Sequence, residues 1–87
     1  MVNNFTNHLY ALVENYCKAE GLDFHLLLPL IKETASRLDS VSPAQSQTGP
    51  AVRGDGTTIE KHLALLDEYP QLKKIYALLS ESIRQSS

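Results

Sequence analysis

The sequence predicts an all-α domain of four helices. Three observations carry this prediction. Apolar residues recur at spacings of three and four in separate stretches, glycine or proline stands at the joints between them, and no run alternates with period two between hairpin turns. The helices are expected near residues 3–20, 23–39, 57–68 and 71–84, with apolar stripes that share one core.

In the first helix Phe5, Leu9, Leu12, Val13, Tyr16 and Cys17 fall on one stripe. Gly21, just past the last periodic residue, predicts a left-handed stop, and Asp23 is placed to cap the next helix. The second stretch is the most apolar. Phe24, Leu28, Ile31, Ala35 and Leu38 form its stripe, with Leu28 expected in the core, and Leu26, Leu27 and Leu30 widen the apolar surface beyond it. Pro29 lies inside this stretch and lacks an amide hydrogen, which predicts a kink or break between His25 and Leu30. A polar loop begins near Ser40. Thr57 followed by Glu60 reads as a capping box for a third helix carrying Ile59, Leu63 and Leu66, which must end at or before Tyr69 because Pro70 follows. Pro70 opens the fourth helix, with Leu72, Ile75, Tyr76, Leu79 and Ile83 on its stripe.

Eighty-seven residues correspond to one small domain, residues 1–87, whose core is modest and which a partner surface would help to stabilise. With a net charge of −2 and scattered Lys and Arg, the chain has no basic stripe, so nucleic acid is not an expected partner. No apolar run is long enough to span a membrane and the start has no signal-peptide character, so a cytoplasmic location is expected. The single cysteine, Cys17, cannot form an internal disulfide and reads as a core hydrophobe. His8, His25 and His62 lack partners at metal-ligand spacing, so no metal site is expected. No glycine-flanked serine elbow supports a nucleophilic triad, and no catalytic residue is assigned.

The unusual stretch is Thr48-Gly-Pro-Ala-Val-Arg-Gly-Asp-Gly-Thr-Thr-Ile-Glu-Lys-His62. It holds three of the four glycines, and Arg53 and Asp55 are the only charged side chains between residues 40 and 59. A stiff, close-approaching loop of this kind is where function often resides. Arg53 offers a planar fork to a carboxylate or phosphate, and Asp55 either holds that fork or receives a substrate donor. The amides of Thr58 and Ile59 at a helix start would add positive field for an anion, and His62, early in the third helix, is a further candidate. The plainer alternative is that Arg53 and Asp55 pair with each other or cap helices.

Three motifs, Asn3-Asn-Phe-Thr-Asn-His-Leu-Tyr10, Leu27-Leu-Pro-Leu-Ile31 and Thr48-Gly-Pro-Ala-Val-Arg-Gly-Asp55 with His62-Leu63, occur in order along nearly the whole chain. Together they resemble the C-terminal helical domain of unknown function that follows a Rossmann-like NAD(P)-binding domain. Such proteins are similar to pyrroline-5-carboxylate reductase, ketopantoate reductase and 6-phosphogluconate dehydrogenase, and the expected fold is that of the 6-phosphogluconate dehydrogenase C-terminal domain. The resemblance implies a homodimer, an NAD(P) cofactor held by an N-terminal Rossmann-like domain, and a substrate cleft to which Asn4, Arg53, Asp55 and His62 contribute. This chain has no G-x-G-x-x-G and no strands, so none of its own residues is assigned to the cofactor; it is expected to be a separated C-terminal domain, inactive alone. In the wider superfamily a lysine commonly stands a few residues before the Asn-Asn pair. None precedes Asn3 and Asn4 here, so a proton-donor role does not carry over.

The sequence thus leads to the dimerising, substrate-side domain of an NAD(P)-dependent oxidoreductase-like protein. Its rival is a free-standing helical interaction module that docks a partner on the apolar second helix.

Overall fold

The structure, a computed structural model, describes residues 1–86. The chain divides into two compact units, Met1–Ser46 and a second that starts at Gln47. All regular structure among the described residues is helical.

The first unit opens with α1, Val2–Ala19. Its stripe is half-buried at Leu9, Leu12, Val13 and Tyr16 and buried at Cys17. The helix ends as the glycine predicts: Gly21 takes φ +72°, its N–H reaches the Lys18 carbonyl at 3.3 Å, and the Leu22 N–H reaches the Cys17 carbonyl at 2.7 Å. These are the two bonds of a Schellman stop, in which only glycine adopts the left-handed residue without strain. Asp23 then caps a single 3₁₀ turn, Phe24–Leu27, its carboxylate accepting the His25 N–H at 2.9 Å.

The expected second helix is therefore two elements, since α2 proper is Leu28–Arg37. Pro29 sits in its first turn, where an amide hydrogen has no intrahelical acceptor in any case, so the break costs no hydrogen bond. The end also falls earlier than expected. The N–H groups of Leu38, Asp39 and Ser40 each bond the carbonyl three residues back, which tightens the chain into turns. The 3₁₀ turn lies against both α1 and α2.

The second unit begins with turns and continues into α3, Gly56–Leu65. Its inward face is Thr58, Ile59, His62, Leu63 and the C-capping Leu66; Thr57, Glu60, Lys61, Ala64 and Leu65 are exposed. Turns bonded three residues back, Asp67 to Ala64 and Tyr69 to Leu66, close the helix before Pro70. Pro70 is the first residue of α4, Pro70–Ser86, and α3 packs on α4.

Among the described residues, only Cys17, Ala51 and Leu66 are buried, and none completely. Several positions expected on the buried stripes are instead open: Phe5, Ala35, Leu38 and Leu79 are exposed, and Leu28 is half-buried rather than in the core. Helical period tells which side of a helix is apolar, but not how far along its length a neighbour covers it. Phe5, Leu22, Leu26 and Leu30 leave much apolar surface exposed on the first unit. No helix among the described residues is long and apolar enough to cross a membrane.

Candidate functional site

The glycine-rich loop is built by local bonds. The Gly54 N–H reaches the Ala51 carbonyl at 3.2 Å and the Asp55 N–H reaches the Pro50 carbonyl at 2.9 Å, with Gly49 and Gly54 both at positive φ. Buried Ala51 anchors the loop. Arg53, in contrast, projects outward with its side chain 60% exposed.

The cap of α3 corrects the expectation drawn from Thr57 and Glu60. The N-cap is Asp55, whose Oδ1 accepts the Thr58 N–H at 3.1 Å while Oδ2 accepts the Thr58 hydroxyl at 2.6 Å. An aspartate three residues before a threonine can satisfy both donors at once, which Thr57 cannot do. The expected anion position changes too. The Thr58 N–H is taken by the Asp55 side chain and the Ile59 N–H by the Asp55 carbonyl at 3.2 Å, so these amides are not open to a ligand.

Arg53 and Asp55 do meet, with Nη2 3.7 Å from Oδ2, but that is an ion pair without a proper hydrogen bond. The pairing alternative and the capping alternative thus both hold for Asp55. The Asp55 carboxylate is satisfied mainly by Thr58, and Arg53 adds only the longer ion pair.

The Asp55 carboxyl is held below its ordinary range, first by the Thr58 hydroxyl, then by the Thr58 N–H, with Arg53 contributing less and burial opposing. A depressed carboxylate stabilises the folded state above its unfolded pKa, roughly 4, and loses that contribution as pH falls through the lower folded value. Asp55→Asn keeps a capping oxygen but removes the charge. Its loss in melting temperature relative to wild type should therefore be larger at pH 7 than at pH 3, as followed by circular dichroism. Equal losses at both pH values would show that the charge at Asp55 contributes nothing.

His62 is half-buried on α3, and its Nδ1 lies 2.8 Å from the Tyr76 hydroxyl on α4, the two rings meeting edge-on at 5.6 Å and 80°. Tyr76, which the sequence placed only on an apolar stripe, is thus the partner of a candidate residue; the available signal was that a half-buried phenol needs a polar partner. Asn4 stands exposed in the first turn of α1, in the first unit, whereas Arg53, Asp55 and His62 all belong to the second.

A dinucleotide does not fit these residues. The helix start that follows the glycine loop already carries the Asp55 carboxylate on its amides, where a pyrophosphate would have to lie.

Residues 1–83 match the family described as Domain of unknown function (DUF2520). No functionally curated protein is found to match the chain. Among solved structures the chain is similar to a "putative NADP oxidoreductase" from Bacteroides fragilis, with 44% identity, a TM-score of 0.91 and coverage of 97% of this chain. The chain spans about a third of the length of that protein, 33%.

Proposed function

Because the chain belongs to the DUF2520 family of helical domains of unknown function, we propose that residues 1–87 act as one domain, the dimerising and substrate-side part of a longer, cytoplasmic NADP-dependent oxidoreductase. One observation carries this reading: nearly the whole chain matches, at 44% identity, one third of a protein named for NADP chemistry. The remaining two thirds of such a protein would hold the cofactor in a Rossmann-like domain. The fold is that of the 6-phosphogluconate dehydrogenase C-terminal domain. Arg53, with Asp55 and His62, contributes to the substrate side of the cleft, the guanidinium taking a carboxylate or phosphate.

Dimerisation rests on the first unit, where Leu22 is 56%, Leu26 78% and Leu30 62% exposed. They come from the loop after α1, the 3₁₀ turn and α2, three successive elements of one unit, and a chain this small has little else to cover so much apolar surface. Light scattering should give a dimer at high micromolar concentration, and Leu26→Asp with Leu30→Asp should give a monomer of unchanged helical content. A wild-type chain that stays monomeric there would overturn the assembly. Replacing the matching third of the Bacteroides fragilis protein with this chain tests the rest: the hybrid should be soluble and bind NADPH, followed as a change in NADPH fluorescence. If the hybrid only aggregates while the free chain remains a well-folded monomer, a free-standing interaction module is the better description.

A further inference from the structure

We propose that Thr58 sets how strongly Arg53 holds an anion: by satisfying the Asp55 carboxylate, it keeps that carboxylate from capturing the guanidinium. This rests on the reading of Arg53 as a ligand group and adds to it a residue that sets affinity without touching the ligand.

Asp55 is fixed by its backbone and its side chain together. Its N–H reaches the Pro50 carbonyl at 2.9 Å and closes the glycine loop, while its carbonyl accepts the Ile59 N–H at 3.2 Å. Its Oδ1 accepts the Thr58 N–H at 3.1 Å and its Oδ2 the Thr58 hydroxyl at 2.6 Å. The carboxylate therefore does not swing toward Arg53 while Thr58 holds it. Thr58 and Arg53 also meet the same atom. Oδ2 takes the hydroxyl at the length of a charge-assisted bond, whereas Arg53 Nη2 stands 3.7 Å away, beyond hydrogen-bond reach.

The consequence is that Arg53 can change partner at little cost. When the guanidinium turns to a ligand carboxylate or phosphate, Asp55 keeps both bonds to Thr58 and no acceptor is left unmade. What remains is repulsion between the ligand and the Asp55 charge, and at a carboxylate 36% exposed that repulsion is screened. Without the Thr58 hydroxyl the balance reverses. Oδ2 loses its donor, and Arg53 is the charged group already acting on this carboxyl. A rotation of its long side chain, 60% exposed, closes the gap to a hydrogen bond, so the guanidinium is internally bound when a ligand arrives. The competing role for Thr58 is that of a helix cap alone.

The test compares Thr58→Val and Thr58→Ser with wild type in the full chain, ¹⁵N-labelled at arginine side chains, with acetate and inorganic phosphate as separate probes. Thr58→Val keeps the shape and removes the hydroxyl, and Thr58→Ser keeps the hydroxyl. In the free proteins the Arg53 Nη signals should be averaged by rotation in wild type and Thr58→Ser, and should separate in Thr58→Val, where a carboxylate holds the guanidinium. The probe that shifts Arg53 Nε in wild type should bind Thr58→Val roughly two- to fivefold more weakly, the strength of one exposed ion pair, and Thr58→Ser as it binds wild type. If Thr58→Val does not fold, Thr58→Ala, which also lacks the hydroxyl, is measured in its place with the same expectation. Equal affinity with and without the hydroxyl, Arg53 shifting in both, would overturn this inference and leave the substrate-side reading standing; no shift at Arg53 with either probe in any of the proteins would overturn both. A Thr58→Val variant with a lowered melting temperature and Arg53 signals still averaged would reduce Thr58 to a helix cap.

Discussion

Leu66→Ala should lower stability by about 2–4 kcal/mol and the melting temperature by roughly 10–20 °C. Leu66 is only 7% exposed and is one of three buried residues among those described. It also caps α3, with its N–H bonded back to His62 and Leu63, so the side chain fills the core at the point where the helix turns toward α4. Alanine leaves those backbone bonds intact, and the loss is therefore one of packing. In a chain with so few buried residues the cavity has little to collapse upon, which favours the upper part of the range. Thermal melts followed at 222 nm give the value, and a shift of under about 2 °C would show that Leu66 is not a core residue.

Ala51→Leu should cost about 1–3 kcal/mol for the opposite reason, overpacking. Ala51 is 5% exposed, and its carbonyl accepts the Gly54 N–H at 3.2 Å, so its position and that of the loop are linked. A larger side chain moves the turn that carries Arg53 and presents Asp55 to Thr58. The change should therefore lower the melting temperature and remove the acid-side pH dependence assigned to Asp55 together. A variant as stable as wild type would mean that the loop is not anchored at Ala51.

These two positions differ in how far the sequence revealed them. Leu66 was legible, since Ile59, Leu63 and Leu66 repeat at helical spacing before a proline that must end the helix. Ala51 was not, because a small residue among glycines has no period. The stop at Gly21, the cap at Asp23 and the disturbance at Pro29 were legible because each is a property of one residue's backbone or side chain. The cap of α3 was harder: Asp55 and Thr57 are both good capping residues, and only the two simultaneous bonds to Thr58 decide between them. The contact of His62 with Tyr76 joins residues fourteen apart and depends on how α3 and α4 are rotated about their axes, which no local pattern encodes. Exposure at Phe5, Leu38 and Leu79 escaped the sequence for the related reason that packing stops before the apolar stripe does.

On the proposed reading Arg53 serves a ligand rather than the fold. Two features support it: the side chain is 60% exposed, and the 3.7 Å pairing with Asp55 duplicates a role that Thr58 already fills. Surface ion pairs of this kind contribute at most about 1 kcal/mol. The most direct measurement is the melting temperature of Arg53→Met beside wild type, each with and without millimolar pyruvate as a small carboxylate probe. The expected result is a free variant within about 3 °C of wild type, with the pyruvate-induced rise seen only in wild type. Collapse of the free variant, or an equal rise in both proteins, would contradict a ligand-binding role for Arg53.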